Sequence, residues 1–178
     1  MLTMSGCAII GDDPIDDASD IRLSILSANS VEMRLTLRAD CKDRAFDYEL
    51  AFSGDENDGT VTVISPESVR DLKITIKGGK TSTEFDGVSL YMGEISDLCE
   101  TPACSPSVFI DAWKNGYITD SKYETLNNIK TVAVTASLDE RREVRTWFEK
   151  SSHLPVYAEL TVDGSTVIFC SIADVVYK

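Results

Sequence analysis

The chain has 178 residues, 43% hydrophobic and 26% charged, an ordinary globular composition with room for one sizeable core. Its formal net charge of −13 repels a polyphosphate backbone and offers an anionic bilayer no electrostatic attraction, which excludes nucleic acid as a partner. No apolar run reaches the roughly 18 residues that a membrane-spanning helix needs, so attachment to a membrane is expected to be covalent or peripheral.

The first seven residues, Met-Leu-Thr-Met-Ser-Gly-Cys, place small side chains directly before a cysteine. This resembles a bacterial lipobox, with Cys7 as the lipid attachment site and residues 1–7 as the remnant of a lipoprotein signal. Only six residues precede Cys7, which implies a trimmed leader or a start codon placed too late; with Met1 as the true start, Cys7 is an ordinary cysteine near a frayed end. Residues 11–20, GDDPIDDASD, hold five Asp and little apolar content, so 8–19 are expected to form a self-repelling, extended tether. The spacing of these Asp residues matches no calcium loop. Residues 20–178 are expected to form a single domain.

Residues 18–28 set Ile21, Ile25 and Leu26 at helical spacing behind Ser19 and predict a short helix. Then the period becomes two. Met33, Leu35, Leu37 and Ala39 alternate with Glu32, Arg34, Thr36, Arg38 and Asp40, the pattern of an antiparallel strand with one wet face. Phe46, Tyr48, Leu50 and Phe52 repeat it. A third strand over 60–64 ends at Ser65-Pro66-Glu67, and Leu72, Ile74 and Ile76 begin a fourth. Gly78-Gly79 and Asp86-Gly87 are two-residue hairpin turns on either side of KTSTEF, leading into VSLYM.

Residues 97–107 break the alternation with Cys99, Pro102, Cys104 and Pro106. Ser105-Pro106 starts a helix, because proline at the first position loses no hydrogen bond. Phe109, Ile110, Trp113 and Tyr117 fall on an apolar stripe of a helix reaching about Gly116, which must pack on the sheet. Alternation resumes at Val132, Val134, Ala136 and Leu138. VRTWFEK leads to a Leu154-Pro155 corner, then to Val156, Ala158, Leu160 and Val162, an Asp163-Gly164 turn and a final strand. That strand is apolar on both faces from Val167 to Cys170 and should be central or doubly covered. The fold class is α+β: eight to ten antiparallel strands, a short leading helix and one inserted helix.

Several stretches carry a family resemblance. They are Ile64-Ser65-Pro66-Glu67 followed by Asp71 to Ile76, Phe85-Asp86-Gly87-Val88-Ser89-Leu90-Tyr91-Met92, the helix around Trp113, and Leu154-Pro155-Val156-Tyr157-Ala158-Glu159-Leu160 with Asp163-Gly164. Over residues 20–178 the chain resembles the outer-membrane lipoprotein carrier LolA and its LolB-like relatives, which include clostridial spore-germination lipoproteins of the GerS type. The resemblance implies a strongly curved, unclosed half-barrel with helices over its concave face. It also implies a lipid-anchored envelope protein on the extracytoplasmic side of a membrane, acting through a protein partner such as a cell-wall or spore-cortex enzyme during germination. The alternative it implies is a carrier or receptor for acyl chains. Phe109, Trp113, Leu50, Ile74 and Leu160 are the expected cavity wall.

No catalytic constellation is legible. The single histidine, His153, sits in a Ser-Ser-His-Leu-Pro corner and reads as a solvated turn residue rather than a general base. Cys99 and Cys104 can close a small disulfide loop in an exported protein or stand as a free pair. Cys41 and Cys170, within or beside strands, read as small buried hydrophobes rather than zinc ligands. No Gly-rich phosphate loop and no cofactor or metal motif occurs, so the chain reads as a binder and not an enzyme.

Overall fold

The structure, a computed structural model, describes residues 13–41, 44–85, 87–94 and 101–178. Helix α1 spans Pro14–Leu26. The strands are β1 (Val31–Cys41), β2 (Arg44–Gly54), β3 (Gly59–Ser65), β4 (Lys73–Lys77), β5 (Lys80–Phe85) and β6 (Val88–Glu94), with a single 3-10 turn at Glu67–Val69 between β3 and β4. Helix α2 (Ser105–Asn115) follows, then β7 (Tyr117–Leu126), β8 (Ile129–Ser137), β9 (Arg142–Glu149), β10 (Pro155–Val162) and β11 (Ser165–Tyr177).

Among the described residues, 11 strands join one sheet in the order β6-β5-β4-β3-β2-β1-β11-β10-β9-β8-β7. Each pairing between neighbours is antiparallel. Edges β6 and β7 do not meet, so the sheet is unclosed. The period-two pattern decides which face is dry: Met33, Leu35, Leu37 and Ala39 on β1 are each 3% exposed or less. They lie opposite Phe52, Leu50, Tyr48 and Phe46 of β2. As its two-sided apolarity requires, β11 lies deep in the sheet between β1 and β10.

The turns follow from their residues. Gly78 and Gly79 take φ of 55° and 75°, and Asp163-Gly164 takes 50° and 77°, the left-handed conformations that two-residue hairpins demand.

Three expectations are corrected. The extended tether does not hold from Pro14 onward: Asp13 caps α1 by accepting from Ile15 N at 3.0 Å. Pro14 occupies the opening turn, and Asp16 and Asp17 sit where the helix dipole favours negative charge. Burial of Ala18, Ile21 and Ile25 then holds the helix in place. Second, Tyr117 is not on the α2 stripe but begins β7, 76% exposed. A Cβ at Gly116 would stand 2.6 Å from Ala112 O and 3.0 Å from Ala136 Cβ, so a glycine lets α2 end hard against β8. Third, β7 raises the strand count above the expected eight to ten; its left-handed Asn127-Asn128 turn, φ 49° and 68°, closes the hairpin to β8.

Candidate functional site: the sheet face beneath α2

Helix α2 is buried on every side over its first half: Ser105 through Ile110 are all buried, as is the preceding Cys104. A helix without a wet face sits inside a core. Phe109 stacks on Trp113 at 6.4 Å between centroids, and Trp113 meets Phe148 of β9 edge-on at 5.7 Å. The Trp113 indole N–H donates to Thr146 Oγ1 at 2.8 Å, a buried bond that fixes the ring.

The C-terminal end of α2 is pinned twice more. Arg22 of α1 donates from Nε to Trp113 O at 3.0 Å and from Nη2 to Gly116 O at 2.6 Å, satisfying carbonyls at the helix end. Lys114 Nζ pairs with Glu56 Oε2, in the turn after β2, at 2.9 Å with both side chains largely buried. One helix thus touches β9 and the β2 turn. In the sheet those strands are four steps apart, β9-β10-β11-β1-β2, roughly 19 Å if flat. A helix with side chains is only about 10–12 Å across, so the sheet must curl around α2.

The expected cavity-wall residues all lie on the face that α2 occupies. Leu50 (β2) pairs with Leu35 and Val63, Ile74 (β4) with Val61, and Leu160 (β10) with Val144 and Ile168. With Phe109 and Trp113 they belong to one core cluster, each at most 5% exposed. The void bounded by Ile21, Trp113, Val134, Ala136, Thr146 and Phe148 measures about 10 Å³, the space of a single water and too small for a hydrocarbon chain. Helix α1 packs on β7, β8 and α2, and α2 on β8 and β9.

Cys7, the expected anchor, and Cys99, the expected disulfide partner of Cys104, lie outside the described residues. Cys104 is buried at the α2 N-cap. Cys170 is fully buried on β11, and burial drives its thiol well above the ordinary range, which leaves a small hydrophobe without thiolate character. Cys41 closes β1. His153 takes φ of 60° in the β9–β10 turn and donates its backbone N–H to Glu149 O at 2.8 Å. Among the described residues no three His, Cys, Asp or Glu side chains gather as a metal site.

Sequence reading overlooked the polar groups inside. Thr146 could have been found, because it shares the inward parity of Val144 and Phe148 and so is a hydroxyl aimed at a dry face. Ser107 Oγ and Tyr177 Oη are buried with no hydrogen-bond partner. On the opposite face, Glu124 accepts from Arg145 Nη2 at 2.6 Å and Trp147 Nε1 at 2.7 Å. Trp147 leans on Tyr157 at 5.4 Å. Nearby Glu159 is raised above its ordinary value by burial, against the opposing pull of Arg145.

No protein-family model and no curated protein matches the sequence. Solved structures do match in fold. A LolA superfamily protein from Nitrosomonas europaea is 13% identical with a TM-score of 0.50 over 94% of each chain. A putative outer membrane lipoprotein-sorting protein domain from Vibrio parahaemolyticus is 8% identical with a TM-score of 0.52 over 92% of each chain. An uncharacterized conserved protein from Thermus thermophilus is 6% identical with a TM-score of 0.54, over 93% of this chain and 88% of the other. The likeness is one of fold: the unclosed antiparallel sheet of this chain is similar in fold to a LolA superfamily protein and to a lipoprotein-sorting protein domain.

Proposed function

We propose that the chain is a non-catalytic cell-envelope lipoprotein, anchored through Cys7, whose half-barrel interior binds the acyl chains of a lipid or lipoprotein. One observation carries this reading: α2 lies inside a curled sheet whose β1–β4 face, from Met33 and Leu35 through Leu50, Val61 and Ile74, is buried, bears no charge and shares one apolar core cluster with α2. The resemblance in fold to a lipoprotein-sorting protein supports it. Native mass spectrometry of the purified chain tests it. A co-purified mass in the range of a diacylated lipid is the expected result, and a bare chain that takes up no acyl compound overturns it.

A second reading is favoured by the small void beside Trp113. In that reading the interior is permanently filled, and the anchored domain supports a wall- or spore-cortex enzyme by surface contact, as in the GerS-type branch. Capture of such an enzyme by a chain that never loads lipid would select it. Palmitate incorporation, lost in Cys7→Ala, tests the anchor under either reading, and thiol alkylation with and without reductant tests the Cys99–Cys104 loop.

A further inference from the structure

Strand β6 is one edge of the sheet, and among the described residues no strand pairs with its outer side. An open edge presents a row of unpaired backbone N–H and C=O groups, which proteins ordinarily guard with charge, proline or cover. Val88 to Gly93 carry neither charge nor proline, and Val88, Leu90, Tyr91 and Met92 are 42–66% exposed. The strand's one charged residue, Glu94, stands opposite Lys80 of β5. The pairings also set the faces. Leu90 lies opposite Thr83, and Thr83 opposite Ile74, so Leu90 continues the dry face. Tyr91 lies opposite Ser82, and Ser82 opposite Thr75, so Tyr91 continues the wet one. Apolar side chains thus flank the open backbone on both sides of the sheet.

A chain of net charge −13 repels its own copies over most of its surface. The β6 edge is an exception, because the adjoining β4 and β5 bring Lys73, Lys77 and Lys80 against the single acid Glu84. The strand also fits itself. Laid antiparallel on a second copy along its whole length, it sets Tyr91 opposite the partner's Tyr91 and Leu90 opposite the partner's Met92. Glu94 then falls opposite the partner's Val88, so no like charges meet. We propose that β6 is a dimerisation edge, through which two copies of this chain join antiparallel into one continuous sheet about a two-fold axis at Tyr91. Such a pairing is isologous and consumes the open edge. The edges left over are the two β7 strands, which carry Asp120, Lys122 and Glu124 and have α1 packed on them. Assembly therefore stops at two. The dimer does not depend on what, if anything, the sheet interior binds.

Sedimentation equilibrium of the full chain tests this. The wild type should pass from monomer to dimer as its concentration rises to about 200 μM, the weak range suited to a small interface, with no larger species. Tyr91 is 66% exposed, so replacing it should leave the melting temperature nearly unchanged. Tyr91→Lys and Tyr91→Glu should each weaken the dimer about tenfold or more, because each sets two like charges face to face on the axis. Mixed together, the two variants should pair again. Thr125→Lys, on the β7 edge, should dimerise as the wild type does. A wild type that stays monomeric at about 200 μM overturns the proposal, as does a dimer that survives in both Tyr91 variants. Failure of the mixed variants to pair overturns the axis at Tyr91. Loss of the dimer in Thr125→Lys, or species larger than a dimer in the wild type, overturns closure through β6.

Discussion

The two halves of the sheet present the same alternating pattern and are finished differently. Over β7–β9 the face is filled by α1 and α2 and secured by directional bonds: Trp113 to Thr146, and Arg22 to two carbonyls. Over β1–β4 it is lined by Leu35, Leu50, Val61 and Ile74, and the directional tie to α2 on that side, Lys114 to Glu56, is made at the β2–β3 turn and not on the face. It then runs out to a β5–β6 hairpin that exposes Phe85, Val88, Leu90 and Tyr91 at 50–66%. The edges differ likewise. Strand β7 carries Asp120, Lys122 and Glu124 and is braced by the bond from Tyr123 Oη to Asp17, whereas β6 has no charged residue before Glu94. Charge and cover are the usual protection of an edge strand. One half is built to stay as it is, and the other keeps apolar surface in reserve.

The comparison can be broken most forcefully at Trp113. Trp113→Ala removes the ring that joins α2 to β9 and orphans Thr146, and should cost about 3–5 kcal/mol in chemical denaturation. Added acyl ligand should recover little of it. Leu50→Ala, on the β1–β4 side, should cost about 2–4 kcal/mol, with part regained when an acyl ligand fills the space; equal recovery in both variants would erase the distinction between the halves. Arg22→Met, which leaves two carbonyls of α2 without a donor, should cost about 1–3 kcal/mol and speed hydrogen exchange around residues 112–116. Leu90→Lys should change stability by no more than about 0.5 kcal/mol yet suppress concentration-dependent association measured by light scattering.

The smallest effect is one of pH. Burial raises the Glu159 carboxyl, so its protonated form favours the fold. That contribution is complete below the unfolded-chain value and is lost as pH rises through the raised folded value. Glu159→Gln should therefore gain stability relative to wild type as pH rises from about 4 to 7. A constant difference in melting temperature across that range would show that the carboxyl is not desolvated on this outer face.

Legibility followed burial. Strands with one dry face, such as β1, announced themselves through Met33, Leu35, Leu37 and Ala39, and Ser105-Pro106 announced α2. Strand β7 did not, because an edge strand keeps few inward positions and protects itself with polar residues, so YITDSKYETL loses the period-two signal; Asn127-Asn128 was its remaining trace. The start of α1 was hidden by composition, since the Asp residues that suggest a tether also suit a helix N-terminus. Of the candidate site, Phe109, Trp113, Leu50, Ile74 and Leu160 could be placed on the dry face from parity and stripe, but not their separation into a half bonded to α2 through Trp113 and a half tied to it at the β2–β3 turn.

By itself, the sequence determined the alternation, the hairpin turns and the dry face of each strand, because these depend on neighbours one to four residues away. Tertiary structure decided that α2 lies within the curl, that Arg22 and Lys114 hold its end, and that Ser107 is left without a partner. Those outcomes join residues up to 94 positions apart and depend on how far the sheet bends, which no local pattern encodes.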